Sequence, residues 1–252
     1  MDAKLLAWGR AAAAFGKRQR PALCGHPPTP LGRSPAPFGH PLNSLGHAPI
    51  PRGDPPAAHH RHLPACAGDP ARHDASCSIP PLWLFTDSRR SPDPRAAVAR
   101  LPRGLAGVVF RHDDDPNRAA LGRDLARICR ARRLVLVVAG DVRLAAALRA
   151  GVHLRGGHWP GLVRPRGFVT SSAHGFPDLR RAARAGASLA FLSPVFATAS
   201  HPEAPTLGST RWSGLARHSP ITVAALGGID GTSARRLPRA FCRAVGAIGA
   251  LA

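Results

Sequence analysis

From residue 81 to the end the chain repeats one unit: a short apolar run, a polar link, then an Ala/Arg/Leu stretch with helical spacing. The apolar runs fall at 82–85, 107–110, 134–138, 151–154, 167–170, 189–192, 222–226 and 245–248. A continuous apolar run without alternation is what a strand covered on both faces requires. Helices are expected at 92–101, at 116–132 with Asp115 as N-cap, at 142–150, at 177–185 ended by Gly186, at 212–217 and at 232–241. Strands alternating with helices predict a parallel sheet, and eight of them predict closure into a compact (β/α)8 TIM barrel. An open doubly wound sheet is the alternative architecture.

Two features make the expected barrel unusual. It has 172 residues, against about 250 in a typical member of the class. Ala252 follows the eighth run too closely for a last outer helix, and residues 155–166 are too rich in Gly and Pro for a good fourth one. A barrel lacking its last outer helix leaves an apolar seam, to be covered by the N-terminal Ala-rich stretch or by a second subunit in a homo-oligomer.

The first 80 residues differ in kind. They hold 14 of the 27 prolines, 7 of the 13 histidines and no valine. Such a segment buries too little surface to offset its ordering entropy, so 1–80 is read as a low-complexity extension, disordered over roughly 21–80. A short helix is expected between Leu5 and Phe15. The Ala-rich basic start faintly resembles a transit peptide, and a start codon assigned too far upstream is the favoured reading. Cys24, Cys66 and Cys77 lie in this extension without a C-x-x-C pair, and the Cys24/His26 and His59-His60-Arg61-His62 groupings lack zinc-site spacing. Cys129 and Cys242 read as small buried hydrophobes, and five unpaired cysteines suit a reducing cytoplasm.

The formal charge of +21 first suggests a nucleic-acid partner. The composition argues otherwise: 33 of the 35 basic residues are arginine, Tyr is absent, Glu203 is the sole glutamate, and aromatics make up only 5%. Single-strand and RNA binders interleave basic residues with stacking aromatics, and no such pattern occurs. The skew is read as compositional bias, with no nucleic-acid partner expected. No apolar run approaches about 18 residues, which speaks against a transmembrane helix.

In an α/β barrel the chemistry lies at the carboxyl ends of the strands. In strand order these carry Asp87; Arg111, His112 and Asp113-Asp114-Asp115; Asp141; His153, Arg155 and His158; Ser171, Ser172 and His174; Thr198, Ser200 and His201; Gly227, Gly228 and Asp230; and Gly249. Gly227-Gly228 ahead of Thr232 is a plausible phosphate cradle, because glycine admits close approach of backbone N–H groups to an anion. Arg111 can offer a charge-assisted fork to a phosphate, and Thr198 and Ser200 sit on a long loop able to fold over a ligand. Each residue also has a structural reading: a solvated helix start for 113–115, a satisfied core histidine for His153, surface residues for His158 and His201, and a salt bridge from Arg111 to Asp113 or Asp141.

These strand ends resemble the thiamine phosphate synthase/TenI family of TIM barrels. Phe191-Leu192-Ser193-Pro194-Val195-Phe196-Ala197-Thr198-Ala199-Ser200-His201, followed by Pro205-Thr206-Leu207-Gly208, is similar to the family's G-P-V-F-x-T-x-[ST]-K loop and P-x-G stretch. Val223-Ala224-Ala225-Leu226-Gly227-Gly228-Ile229 resembles V-x-A-I-G-G-I, Ser172-Ala173-His174 resembles S-x-H, Gly151-Val152-His153-Leu154 matches G-V-H-L, and Leu84-Phe85-Thr86-Asp87 resembles L-[VI]-T-D. The resemblance covers about residues 82–251. It implies joining hydroxymethylpyrimidine diphosphate to thiazole phosphate, giving thiamine phosphate and pyrophosphate. It also implies Arg111 and Ser172 at the diphosphate, with Thr198 and Ser200 as further donors. His201 stands in place of the loop lysine, and Gly228, with Gly227 and Gly249, at the thiazole phosphate.

The family's Mg²⁺ is the least supported expectation. Its N-D after the third strand reads Ala139-Gly140 here, leaving Asp141 as a weak candidate ligand one place late. Its G-Q-E-D after the fourth strand reads Arg155-Gly156-Gly157-His158, and its Q-x-R-x-K after the second reads Val109-Phe110-Arg111-His112-Asp113. Mg²⁺ prefers carboxylate oxygens. Two alternatives therefore stand beside the synthase: a TenI-type thiazole tautomerase that uses His174 as acid/base, and a catalytically degenerate phosphate-ligand binder.

Overall fold

The computed structural model describes residues 1–18, 79–160, 167–198 and 203–252. Eight strands are present: β1 (Leu82–Phe85), β2 (Ala106–Phe110), β3 (Val135–Ala139), β4 (Gly151–Leu154), β5 (Val169–Ala173), β6 (Leu189–Leu192), β7 (Thr222–Ala225) and β8 (Ala244–Ala247). Each pairs in parallel with the next, and β1 also pairs with β8, Leu82 opposite Val245, so the sheet closes into the expected barrel. The helices are α1 (Ala3–Arg18), α2 (Arg95–Arg100), α3 (Arg118–Arg132), α4 (Val142–Leu148), α5 (Phe176–Arg184) and α6 (Gly208–Arg217), with 3₁₀ turns at Ser233–Arg236 and Gly249–Leu251.

Strand side chains alternate between two apolar layers. Trp83, Phe85, Val109, Val137, Leu189 and Phe191 fill the barrel interior, while Leu82, Leu84, Val108, Phe110, Val138 and Leu192 pack outward against the helices. The interior is an aromatic stack: Phe191 meets Trp83 edge-on at 5.4 Å and Phe85 at 4.7 Å, and Phe168 stacks on Trp83 at 5.8 Å. The Trp83 indole N–H, buried in that stack, donates to the Pro80 carbonyl at 2.8 Å. Edge-to-face contacts of this kind contribute about 0.5–1.5 kcal/mol beyond area burial.

Three local expectations shift. Strand β5 begins at Val169 and runs on through Thr170, Ser171 and Ser172, residues too polar to read as a buried strand. Their hydroxyls find local partners: Thr170 meets His153 Nδ1 at 2.8 Å, and Ser171 donates to the Ser172 carbonyl at 3.0 Å. Helix α3 starts at Arg118, and the Asp115 carboxylate accepts the Asn117 N–H at 2.7 Å just ahead of it, so Asp115 is not its N-cap. Over 232–241 only Ser233–Arg236 is helical, because Leu237 is extended (φ −96°, ψ 133°) ahead of Pro238, as the residue before a proline prefers.

The outer ring is thin where the composition indicated. Among the described residues no helix joins β4 to β5. Arg155 and His158 close a small antiparallel bridge, and the Trp159 indole N–H donates to the Ala185 carbonyl at 3.1 Å. No α-helix follows β8 among the described residues, and helix α1 covers that seam. The helix and the barrel belong to one compact unit. Leu5, Trp8, Gly9 and Ala12 recur at the spacing of one helical face. Leu5 and Trp8 are buried in the outer apolar layer with Leu82, and Ala12 packs against it. A Cβ on Gly9 would fall 2.5 Å from Leu82 Cγ, so the helix backbone lies directly on β1.

At the other end Asp2 joins α1 to the mouth. One carboxylate oxygen accepts the Lys4 and Leu5 N–H groups, the other accepts the Gly231 N–H after β7 at 2.6 Å, and the Asp2 N–H donates to the Ala250 carbonyl after β8 at 2.8 Å. These bonds, Gly231's foremost, hold the Asp2 carboxyl below its ordinary range. Helix α1 therefore runs antiparallel to the strands from mouth to base, the course an eighth outer helix would take.

The expected disorder over 21–80 and the Cys24, Cys66 and Cys77 readings lie almost wholly outside the described residues. Cys129 and Cys242 are buried free thiols, and burial pushes each up to about 12. No helix among the described residues is long and apolar enough to cross a membrane. Trp8→Ala empties the contact between α1 and β1 and is expected to cost about 3–5 kcal/mol in urea unfolding. Trp8→Phe is expected to be near neutral, because it also removes an indole N–H that is buried without a partner among the described residues. Equal stability of Trp8→Ala and the parent would show that α1 is not part of the folded unit.

Candidate active site at the barrel mouth

The β1–β2 side of the mouth is organised by one hydroxyl. Thr86 Oγ1 accepts the Arg111 N–H at 3.0 Å and donates to His112 Nδ1 at 3.0 Å, the ring nitrogen left as acceptor because Nε2 faces two carbonyls, which only accept. The His112 Nε2–H then faces the Ser91 and Pro92 carbonyls at 3.2 Å each. This buried histidine is a fastener between strand ends. Arg111 is held in turn: Nε donates to the Thr86 carbonyl at 2.9 Å, Nη2 reaches Asp87 at 3.3 Å, and the guanidinium lies 5.6 Å above the Phe85 ring. Burial lowers its proton affinity somewhat, against the pull of Asp87 and Asp113, and an arginine so placed stays cationic. The structural alternative for Arg111, a salt bridge to Asp113 or Asp141, is not what forms: its ion pair is with Asp87.

A second group of charges spans β2 to β4. Arg118, the first residue of α3, donates to the Ala139 carbonyl at 2.8 Å and pairs with Asp113 at 2.9 Å and Asp141 at 3.5 Å. Asp113 is shared, since Arg155 at the end of β4 pairs with it as well. Asp141 caps α4 by accepting the Leu144 N–H at 2.9 Å. Beneath these groups His153 is buried, with Nδ1 on Thr170 and its ring edge-on to Phe85 at 5.7 Å. Burial first, then the charges of Arg111 and Arg155, pushes its pKa down to about 3, so it is a neutral core residue.

Strands β5 to β8 supply the other side. Ser172 Oγ accepts the Gly156 N–H at 2.9 Å. His174 is exposed, with its N–H on Asp178 at 2.8 Å and Nδ1 against the Ser193 carbonyl at 2.9 Å. A carbonyl only accepts, so Nδ1 carries the proton and the lone pair lies on Nε2. The β6 and β7 loops are laced together by Val195 N–H to the Leu226 carbonyl at 3.0 Å and Phe196 N–H to the Gly227 carbonyl at 3.1 Å. Gly227 and Gly228 have φ of +91° and +64°, and a Cβ on Gly228 would stand 2.5 Å from the Ala197 carbonyl oxygen. Only glycine serves at that turn. Thr198 lies at the end of this laced loop, and Gly249 opens the 3₁₀ turn after β8 into open space.

The structure thus places Arg111, Asp141, Ser172, His174, Thr198, Gly227, Gly228 and Gly249 at strand ends on one face, while Ser200 and His201 lie outside the described residues. Sequence reasoning missed Arg118. Its one available signal is a basic residue in the first turn of a helix, where the dipole disfavours it.

The residues present do not suit a divalent cation. Asp87, Asp113 and Asp141 are each engaged by a guanidinium, and among the described residues no group of three or more His, Cys, Asp or Glu side chains is arranged to hold a metal ion. At Gly140, where the resemblance would put a carboxylate, an added Cβ would meet the Arg155 Cζ, Nε and Nη2 atoms at 3.4 Å each.

A closed eight-stranded α/β barrel, with arginines on one side of its mouth and a laced glycine turn on the other, is the class that fold and site define. The chain belongs to the thiamine monophosphate synthase (TMP-TENI) family, whose pattern matches residues 82–251. It is 31% identical over 183 residues to a thiamine-phosphate synthase of Roseiflexus castenholzii, covering 68% of this chain and 80% of the relative. It is 30% identical over 186 residues to that of Thiobacillus denitrificans, covering 68% and 87%. The solved thiamine phosphate pyrophosphorylase from Pyrococcus furiosus shares the fold, with a TM-score of 0.56 at 23% identity over 66% of this chain and 84% of that one.

Because His153 is neutral in the fold and protonates in the unfolded chain near 6.5, the unfolded state binds more protons below that pH. Stability is therefore expected to fall as pH drops from about 6.5 towards about 3. His153→Gln should flatten this part of the urea-midpoint profile, and an unchanged slope would show that other groups set it.

Proposed function

We propose that this chain is a thiamine-phosphate synthase acting on hydroxymethylpyrimidine diphosphate and thiazole phosphate. The observation that carries the reading is family membership over the whole barrel, with the β6 loop laced to the β7 glycine turn on one side of the mouth and Arg111 held in place on the other. In the reaction the C–O bond between the pyrimidine methylene and the diphosphate breaks, and its electron pair leaves on the diphosphate oxygen. The thiazole nitrogen then gives its lone pair to the methylene carbon. Thiamine phosphate and pyrophosphate result, and no proton is lost, because the nitrogen becomes quaternary.

Each of this chain's groups has a place in that scheme. Arg111, held on Thr86 and Asp87, meets the departing diphosphate where negative charge grows, the geometry in which a fixed donor accelerates most. Ser172, Thr198 and Ser200 are further donors, and His201 takes the position of the loop lysine. Gly227, Gly228 and Gly249 receive the thiazole phosphate through backbone N–H groups. Asp141, occupied by Arg118 and the α4 cap, holds no metal in this scheme. The buried free thiols Cys129 and Cys242 suit a reducing compartment, and we place the protein in the cytoplasm.

A coupled assay with both phosphorylated substrates tests the reading. Arg111→Ala is expected to lower kcat/KM by about 10²–10³, the usual cost of removing one fixed donor at developing charge. His174→Ala should retain synthase turnover. No thiamine phosphate at any protein concentration would overturn the proposal, and thiazole isomerisation abolished by His174→Ala would transfer it to the tautomerase.

A further inference from the structure

The disagreement between the family's cation and this mouth is itself informative. The three carboxylates best placed for a metal have become anchors for guanidinium groups: Asp87 for Arg111, Asp141 for Arg118, and Asp113 for both Arg118 and Arg155. The end of β3, where a carboxylate would project, is capped instead by the flat face of Arg155. Gly140 has φ +67° and no side chain, and the Arg155 guanidinium lies 3.4 Å from where its Cβ would be. The side chain of Arg155 is 63% exposed and that of Arg111 35%, so both reach solvent at the mouth. Asp113, two residues past Arg111 on the same strand end, pairs with Arg155, which sets both guanidinium groups on the β2–β4 side of the mouth. A guanidinium presents paired donors that match phosphate oxygens, and its charge does not depend on pH or on a bound ion.

We propose that Arg111 and Arg155, aligned by Asp87 and Asp113, bind the diphosphate directly, so that this chain holds it without a divalent cation. The inference deepens the synthase reading and rests on it. Asp113 serves as a bridge that sets Arg155 and Arg118 side by side, and Arg118 braces Asp113 and Asp141 rather than touching the ligand. Arg155 is thus a substrate-binding residue in place of the ion, and Asp113 is a positioning residue.

Titration calorimetry of the full chain with inorganic pyrophosphate, in EDTA and in Mg²⁺, tests this. Binding is expected in EDTA, and Arg155→Gln should weaken it there by about 10- to 100-fold, the span of one hydrogen bond to a charged group. Arg155→Lys should recover only part of the loss, since it keeps the charge without the fork. The exposed side chain makes the fold insensitive to both changes, which unchanged thermal unfolding would verify. Pyrophosphate that binds only with Mg²⁺, or binds Arg155→Gln as tightly as the parent in EDTA, would overturn the inference. Thiamine phosphate formed in Mg²⁺ alone would do the same while leaving the synthase reading intact. Pyrophosphate bound in EDTA through Arg155 with no thiamine phosphate in either buffer would support the clamp and remove the synthase reading.

Discussion

Strand β1 is the piece on which the rest depends. It hydrogen-bonds to β2 on one side and to β8 on the other, so closure of the barrel passes through its four residues. Its inward rings, Trp83 and Phe85, meet across the interior on Phe191 of β6. Its outward Leu82 receives the backbone of α1 at Gly9. The residue just past its end, Thr86, then fixes Arg111 and His112 together. Core, seam and mouth are therefore set by one short segment, because a strand offers alternate faces inward and outward and its terminus to the site.

The mouth divides its work between two kinds of anion contact. On the β1–β4 side fixed guanidinium groups supply paired N–H donors, held in line by an equal number of carboxylates. On the β6–β8 side backbone conformation supplies shape, through Gly227 and Gly228, where a Cβ would collide with the β6 loop across from them. Charge tolerates a few tenths of an ångström of movement, and a backbone cradle does not. That difference fits the lacing of the β6 loop to β7 and the looser ion-pair network on the opposite side.

Much of the fold was legible in the chain. The unbroken apolar runs located strands because a doubly covered strand has no polar face to show. The β6 loop and the glycine turn of β7 were legible for a related reason: their residue types are dictated by local backbone. Strand β5 was harder, since Thr170, Ser171 and Ser172 look like loop until their hydroxyls meet His153 and the neighbouring carbonyl. The helix expected over 232–241 stops at Arg236, because Leu237 takes the extended conformation that a following proline favours. Asp141 looked like a free carboxylate at a strand end, and only the fold reveals that Arg118 and the α4 cap already engage it.

The net charge of +21 illustrates the limit. A sum over arginines cannot separate those that solvate helices from those that line the mouth. The sequence by itself determined the βα period, the barrel, the family and the glycine turn, because periodicity and backbone restriction act between near neighbours. Only the tertiary structure decided that an N-terminal helix stands in the place of an eighth outer one, and that Arg155 covers the end of β3. Those contacts join residues as far apart as Asp2 and Gly231. Pairings at such separations are selected by how surfaces meet in space, and no local pattern records them.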